Sequence, residues 1–166
     1  MTFPTAQAAG SPHHFLAQLV GGWAGTTETW LDPDAVPTQS KTQGSIQLIL
    51  EGRFIIYLYQ SLVDGEAQHG MFTFGYDTTV DQYQASWVDS FHNNTTIMYC
   101  VGQAREHGFW VLGSYPDPAG GPDWGWRTEV ELVEPDHLSI SAYNIHHEGG
   151  EMLAVRTLLN RVKHAS

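Results

Sequence analysis

The sequence predicts an all-β protein: a single closed antiparallel up-and-down β-barrel of about ten strands, preceded by a short helix. Short apolar runs, several with strict alternation, recur at spacings of roughly 8–14 residues. Turn residues separate these runs, since the chain has 17 glycines and 8 prolines. No crossover helix is indicated between them, so neighbouring strands pair antiparallel. About ten such strands close into a barrel more readily than they remain a flat sheet.

A barrel of this size has an interior that side chains do not easily fill, which predicts a cavity. The length of 166 residues suits one domain with a core of its own. We expect residues 1–10 to be a flexible lead-in and residues 11–166 to form the barrel domain.

The formal net charge of −11, from 18 acidic and 7 basic residues, excludes the functions that need a basic surface. Binding to nucleic acid or to an anionic membrane is not expected. The N-terminal segment lacks the pattern of a signal peptide, and no run reaches the ~20 apolar residues of a spanning helix, so a cytoplasmic location is expected. The single cysteine, Cys100, lies in an apolar run and is expected to be a buried, inert thiol.

The first predicted element is a short helix. Ser11 is its expected cap and Pro12 its first residue, and an apolar stripe follows before Gly21–Gly22 ends it. A helix of this length could plug one end of the barrel. The stripe consists of Phe15, Leu16, Leu19 and Val20.

Ten strands are predicted after the helix, with a hairpin turn at Asp64–Gly65. Their expected ranges are Trp23–Trp30, Ser45–Leu50, Arg53–Val63, Met71–Tyr76, Tyr83–Ser90, Thr96–Gln103, Phe109–Tyr115, Trp124–Val133, Leu138–His146 and Met152–Val162.

The predicted strand Tyr83–Ser90 contains the central candidate residue, Asp89. Tyr83, Ala85, Trp87 and Asp89 fall on one face, and the period of two makes this aromatic face the buried one. Asp89 is thereby directed toward the interior, where a lone charge is costly.

Several segments together resemble a bacterial domain-of-unknown-function family, number fifteen-seventy-nine, of the calycin, or lipocalin-like, β-barrel superfamily. The opening segment Leu19–Gly25 resembles the glycine–tryptophan signature of such barrels, and the resemblance extends from Phe15 to Arg161. Its other elements are Leu50–Phe54, Gly75–Asp77, Tyr83, Trp87–Ser90 and Gly102.

The resemblance implies a ten-stranded barrel related to fatty-acid-binding and nitrobindin-like proteins, and it implies no established activity. Nitrobindin-like barrels bind haem through one histidine late in the chain, and His146 is the counterpart in placement. Otherwise no cofactor is expected.

Asp89 and His92 are the candidate catalytic residues. Facing a cavity, Asp89 would have its pKa raised by desolvation and act as a general base or acid with His92. Alternatively, Asp89 caps the turn that follows its strand, and His92 lies on the rim.

The candidate ligand-binding residues are those predicted to point inward or to lie at a strand mouth: Tyr83, Trp87, Met98, Trp126, Asn144 and His146. Asn144 and His146 could hydrogen-bond a ligand, or they could be satisfied by each other or by water. No metal site is predicted, because no pair of histidines has a recognised ligand spacing; convergence of His92, His107 and His147 is the alternative.

Two classes of function remain open. The first is a barrel that binds a small, mostly apolar molecule, and the second is a cofactor-free isomerase, cyclase or hydrolase that uses Asp89 with a histidine. Haem binding is a third option. A homodimer is a further expectation, since closed dimers are the commonest oligomers.

Overall fold

Ten antiparallel strands form one closed barrel, as predicted. The structure is a computed structural model that describes residues 8–63 and 65–163. Each strand pairs with its neighbour in sequence, and the last strand pairs with the first. The strands are β1 (Gly21–Thr29), β2 (Thr38–Ile49), β3 (Phe54–Val63), β4 (Glu66–Asp77), β5 (Gln82–Asp89), β6 (Met98–Arg105), β7 (Gly108–Tyr115), β8 (Trp124–Glu134), β9 (His137–Ile145) and β10 (Glu151–Arg161).

Three predictions fall partly outside this description. Residues 1–7 of the expected lead-in, Asp64 of the expected hairpin turn and residues 164–166 of the expected barrel domain lie outside the described residues. Gly65 has a φ of +83°, the left-handed conformation that favours glycine in a turn.

The N-terminal helix, α1 (Pro12–Gln18), begins as expected, with the Ser11 hydroxyl accepting from the amide of His14 at 3.1 Å. The predicted end at Gly21–Gly22 is wrong, because both glycines belong to β1 and pair with β2. The helix stops earlier, where the carbonyl of Leu19 accepts a hydrogen bond from the indole of Trp23 at 2.8 Å. Among the described residues, no helix is long and apolar enough to cross a membrane.

Helix α1 plugs one end of the barrel. Leu16 and Leu19 are fully buried, and Phe15 packs edge-on against Phe109 with ring centres 6.1 Å apart. Tyr83 stacks on the same ring of Phe109 at 4.2 Å. This end is therefore filled by packed apolar side chains, and any cavity has to lie toward the other end.

Arg161 of β10 links helix α1 to the barrel at the place where β10 pairs with β1. Its guanidinium donates to the carbonyl of Gln18 at 2.9 Å and lies 4.3 Å from the ring centre of Trp23. It also pairs with Asp136 at 3.2 Å. One arginine of the last strand thus holds α1, β1 and the β8–β9 turn together.

Two strands begin at least five residues earlier than predicted. β2 starts at Thr38 instead of Ser45, and β4 at Glu66 instead of Met71. The inward-facing residues in these extensions are polar, with Thr42 and Gln68 both buried. Alternation of apolar and polar residues cannot reveal a strand whose inner face is itself polar.

Candidate functional site

The candidate site lies inside the barrel at the end opposite α1. An inner cavity of about 60 Å³ and an outer one of about 260 Å³ adjoin there, measured as the space open to the centres of water molecules. Both are walled in part by Trp87, His92 and Trp126, so they are compartments of one interior. The inner compartment exceeds the roughly 10–15 Å³ that one water needs on this measure.

The inner compartment has two chemically different walls. One wall is aromatic, and Phe72, Trp87 and Trp126 form a stack in which adjacent ring centres are 5.3 and 5.4 Å apart. The other wall is rich in hydroxyl groups, centred on Thr27. The residues of the hydroxyl wall are Thr27, Thr29, Thr42, Ser61, Thr128 and Thr157.

Asp89 closes the turn after β5. Its Oδ1 accepts hydrogen bonds from the amides of Phe91, His92 and Asn93 at 3.2, 2.6 and 2.8 Å. These bonds fix the turn that carries His92, so the capping alternative of the sequence analysis is present in the structure.

The second oxygen of the same carboxylate meets the groups of the interior. Oδ2 of Asp89 lies 2.8 Å from Nδ1 of His92 and accepts from Nε2 of Gln68 at 2.9 Å. The hydroxyl of Tyr59 approaches it at 3.4 Å. Asp89 therefore caps its turn and is oriented toward the cavity at the same time.

The expected rise in the pKa of Asp89 is wrong. Burial alone would raise the pKa of this carboxyl, whose side chain is 0% exposed. Hydrogen bonds and the charge interaction with His92, together with bonds from Asn93 and Gln68, outweigh burial and lower the pKa below its usual range. Asp89 is thus an anion near neutral pH and acts as an orienting acceptor.

The Asp89 anion fixes the tautomer of His92. Since a carboxylate only accepts, Nδ1 of His92 carries the proton, and a neutral ring then has its lone pair on Nε2. The ring lies 5.6 Å from that of Trp87 and 5.5 Å from that of Trp126, between the two compartments. Its side chain is 21% exposed and lines both compartments, so a molecule entering the mouth can contact the ring.

A hydrogen-bonded chain supports the pair. The indole of Trp87 donates to the hydroxyl of Tyr59 at 3.0 Å, and Ser61 donates to Oε1 of Gln68 at 3.3 Å. Burial, with the nearby charge of Asp89, raises the pKa of Tyr59 well above its usual value, so its hydroxyl stays protonated. Each member of the chain orients the next toward Asp89.

Three buried polar atoms on β8 form no hydrogen bond with a described residue, and one of them, Nε of Arg127, is ion-paired with Glu129 at 3.2 Å. The other two are Nε1 of Trp126 and Oγ1 of Thr128. Both residues line the inner compartment. By contrast, Thr27 bonds the hydroxyls of Thr42 and Thr157 at 2.6 and 2.8 Å.

The structure brings most predicted ligand-binding residues to this end. Trp87 and Trp126 line both compartments, and Met98 and Asn144 line the outer one. The amide oxygen of Asn144 accepts from the Tyr115 hydroxyl at 2.6 Å. Tyr83 is different, since it stacks on Phe109 in the plugged half and lines neither compartment.

His146 follows the last residue of β9 and does not line either compartment. Its ring packs edge-on against Trp124 at 4.7 Å, and its Nδ1 accepts from the amide of Glu148 at 3.2 Å. The position of His146 does not fit an interior haem ligand.

His92, His107 and His147 do not converge on one point. His107 is in the β6–β7 turn, toward the plugged end, and pairs with Glu106 at 4.0 Å. In the described part of the chain, one group has metal-ligand atoms within 4.8 Å of one another, formed by His146, His147 and Glu148. The second and third of these residues are exposed.

Sequence reasoning missed the polar partners of the site. Gln68 lies in the unpredicted part of β4, and the threonines of the hydroxyl wall alternate with polar outward residues. The threonines themselves could have indicated these strands, because a β-branched side chain favours strand conformation even when it is polar.

Comparisons with known proteins agree with the barrel. A family model described as "Protein of unknown function (DUF1579)" matches residues 8–161. No curated protein gives a significant match. The crystal structure of Rv2717c from M. tuberculosis is similar, with a TM-score of 0.62, 14% identity, and coverage of 92% of this chain and 99% of that one. The structure of the S-type phycobiliprotein lyase CPES from Guillardia theta is similar to the same degree, with a TM-score of 0.62, 12% identity, and coverage of 99% and 100%. At these identities the likeness concerns the fold.

Proposed function

The chain belongs to the family described as proteins of unknown function (DUF1579), and we propose that it is a small-molecule-binding barrel whose ligand enters at the open end. The observation that carries this proposal is the divided interior, filled by aromatic packing under α1 and hollow beyond it. A hollow with preformed aromatic and polar walls is the usual form of a ligand site.

The residues that line the two compartments favour a ligand with more polar groups than the mostly apolar molecule expected from the sequence. The aromatic wall suits a planar or apolar body, whereas the hydroxyl wall and His92 suit polar substituents. The two compartments together have room for a small molecule, and the inner one alone has room for a single polar group or a few waters.

Fluorescence titration with N-phenyl-1-naphthylamine, a neutral probe whose emission rises in apolar surroundings, tests the proposal. We expect saturable 1:1 binding with a Kd of about 1–100 μM, and native mass spectrometry of the purified protein to show any retained ligand. A linear, unsaturable signal with no mass increment would refute a binding barrel.

The Asp89–His92 pair supports a second candidate, a hydrolase that uses His92 as general base. Nε2 would take a proton from a water, the resulting hydroxide would attack an ester carbonyl, and the alcohol would leave as its anion, with the proton returned to solvent. Asp89 would stabilise the imidazolium through the 2.8 Å contact. One protein with a similar fold is named a lyase, so an enzyme on such a barrel has a counterpart in fold.

Hydrolysis of 4-nitrophenyl acetate tests this second candidate. We expect His92→Gln to lower the rate at least tenfold, and His69→Gln, which changes an exposed outward histidine of β4, to leave it unchanged. Equal rates in both variants would refute a catalytic role for His92.

The homodimer stays a prediction, to be measured by sedimentation velocity.

A further inference from the structure

One outer face of the barrel wall, spanning β3 to β7, is apolar and uncharged. The strand register places Leu58, Met71 and Val88 side by side in one row across it. Val101 and Leu112 lie side by side in a second row. The residues that alternate with these are buried, so both rows point outward. The β3–β7 face consists of the outward residues within 54–58, 71–75, 84–88 and 99–101, together with residue 112.

Several large apolar side chains of the β3–β7 face are open to solvent. Tyr99 is 60% exposed, Leu58 44% and Leu112 39%. None of the residues that make up the face carries a charge. Monomeric proteins rarely expose a contiguous apolar patch of more than a few hundred Å², and larger patches mark interaction sites.

Charged residues begin at the border of this face. Arg127 of β8 lies beside Leu112 and pairs with Glu129 at 3.2 Å. Glu129 also pairs with Arg105, at 2.5 Å. The β3–β7 face is therefore an apolar area with a polar rim, and the formal net charge of −11 is carried by other parts of the chain.

The area of the face matches what a small dimer interface needs. Five strands about 4.8 Å apart, with five residues that each rise about 3.3 Å, cover a flat area of about 400 Å². Protruding side chains, the aromatic ones above all, raise the accessible surface to about 500–600 Å². Two such faces packed together remove about 1,000–1,200 Å² from water, the low end of the range for specific interfaces.

We propose that the β3–β7 face is the contact surface of a homodimer, in which the same face of a second copy packs on it. In a two-fold dimer each patch meets itself, so the patch must be its own complement. An uncharged apolar face meets this condition, because neither acidic chain brings a carboxylate into the contact. Two such faces pack like the sheets of a β-sandwich, about 10 Å apart with interdigitating side chains.

The proposed dimer is independent of ligand binding. The β3–β7 face lies on the side of the barrel, whereas the candidate site opens at the end opposite α1. Both mouths therefore stay accessible in the dimer.

Sedimentation velocity of the full chain, from about 5 to 500 μM, tests the proposal. We expect a monomer–dimer equilibrium with a Kd of about 10–100 μM, as suits a small interface. Added NaCl should tighten the dimer, since it screens the repulsion between two acidic chains, whereas a dimer held by ion pairs would weaken. A monomer throughout, weakening by salt, or an assembly larger than two copies would overturn the proposal.

Two leucine-to-lysine variants locate the contact. Leu58→Lys places a charge on the β3–β7 face, and two like charges then meet in the dimer, so we expect the Kd to rise at least tenfold. Leu158→Lys is the matched control, because Leu158 is a 53% exposed leucine on the outer side of β10. It should dimerise like the parent protein. Equal Kd values for the two variants would contradict the assignment of the face.

A measurement on the parent protein avoids reliance on any variant. ¹H–¹⁵N spectra recorded on dilution should show concentration-dependent shifts for the amides of Val88 and Tyr99 and constant positions for those of Ser139 and Leu158. The opposite distribution of shifts would place the dimer contact on β9 and β10 and overturn the proposal.

Discussion

Nδ1 of His92 lies 2.8 Å from Oδ2 of Asp89, while Oδ1 of the same carboxylate accepts the backbone amide of His92 at 2.6 Å. One side chain therefore shapes the turn and orients the imidazole on it. The two roles that the sequence presents as alternatives, a turn cap and a cavity-facing carboxylate, are combined because the two oxygens point in different directions.

Asp89→Asn is expected to lower the free energy of unfolding by about 2–3 kcal/mol near neutral pH. The asparagine side chain has one oxygen and one NH₂ group. If the NH₂ group takes the position of Oδ2, it faces the donors of Gln68 and His92; if it takes the position of Oδ1, it faces the backbone amides of the turn. Urea unfolding monitored by tryptophan fluorescence measures the change. Asp77→Asn is the control, because Asp77 accepts the amide of Thr79 at 2.8 Å in an exposed turn, and its loss should be below about 1 kcal/mol.

The pH dependence of stability provides a separate prediction for Asp89. Its pKa is lower in the folded protein than in the unfolded chain, so between the two values the unfolded state binds more protons. The stability from Asp89 is complete above the unfolded pKa of about 3.9 and is lost as the pH falls through the folded pKa. In acid titrations of unfolding free energy, Asp89→Asn should decline less steeply than the parent; equal slopes would show that Asp89 is not preferentially ionised in the fold.

Two threonines of the hydroxyl wall should respond to valine in opposite directions. Thr128→Val replaces a hydroxyl that has no partner among the described residues and should raise the free energy of unfolding by about 1 kcal/mol. Thr27→Val removes the hydroxyl that links Thr42 and Thr157 and should lower it by about 1–2 kcal/mol. Urea denaturation of both variants decides; a loss in Thr128→Val as large as that in Thr27→Val would show that its hydroxyl is satisfied.

At Gly102 of β6 the neighbouring strand approaches so closely that only glycine, which has no Cβ atom, fits. A Cβ atom there would lie 1.8 Å from the carbonyl oxygen of Trp110. We expect Gly102→Ala to destabilise the barrel by about 3 kcal/mol, or to prevent folding, as measured by circular dichroism during thermal unfolding. Gly22→Ala is the control, since its Cβ would meet Val162 at an ordinary 3.5 Å; equal melting temperatures for the two variants would contradict this account.

Cys100 should react slowly in the folded protein. Burial raises the pKa of its thiol to about 12, so little thiolate forms near neutral pH. Reaction with 5,5′-dithiobis(2-nitrobenzoate) is expected to be at least a hundredfold slower in buffer than in guanidinium chloride. A fast native reaction would mean that β6 opens readily.

The sequence predicted the barrel and most of its strands because apolar side chains on one face of a strand leave a visible period of two. It placed Trp87 and Asp89 on the inner face, and both are there. The same reasoning failed at the start of β2 and β4, where Thr42 and Gln68 are buried polar residues.

Only part of the candidate site could be predicted from the sequence. Asp89 and His92 were paired from their spacing across a turn, whereas the contact of Asp89 with Gln68 joins residues from different strands and leaves no trace in local pattern. The sign of the pKa shift of Asp89 could not be derived, since it depends on counting donors that only the folded turn assembles. His146 was assigned to the interior by extending the period of β9 one residue beyond its end at Ile145.

The measurement that tests the binding site most directly is the Kd for N-phenyl-1-naphthylamine in two variants of β9. Ala142→Phe places a ring in the inner compartment, which Ala142 lines, and Ser141→Phe places the same ring on the opposite face of the strand. We expect Ala142→Phe to weaken binding at least tenfold and Ser141→Phe to bind like the parent protein. Parental affinity in a folded Ala142→Phe would contradict the assignment of the ligand to the barrel interior.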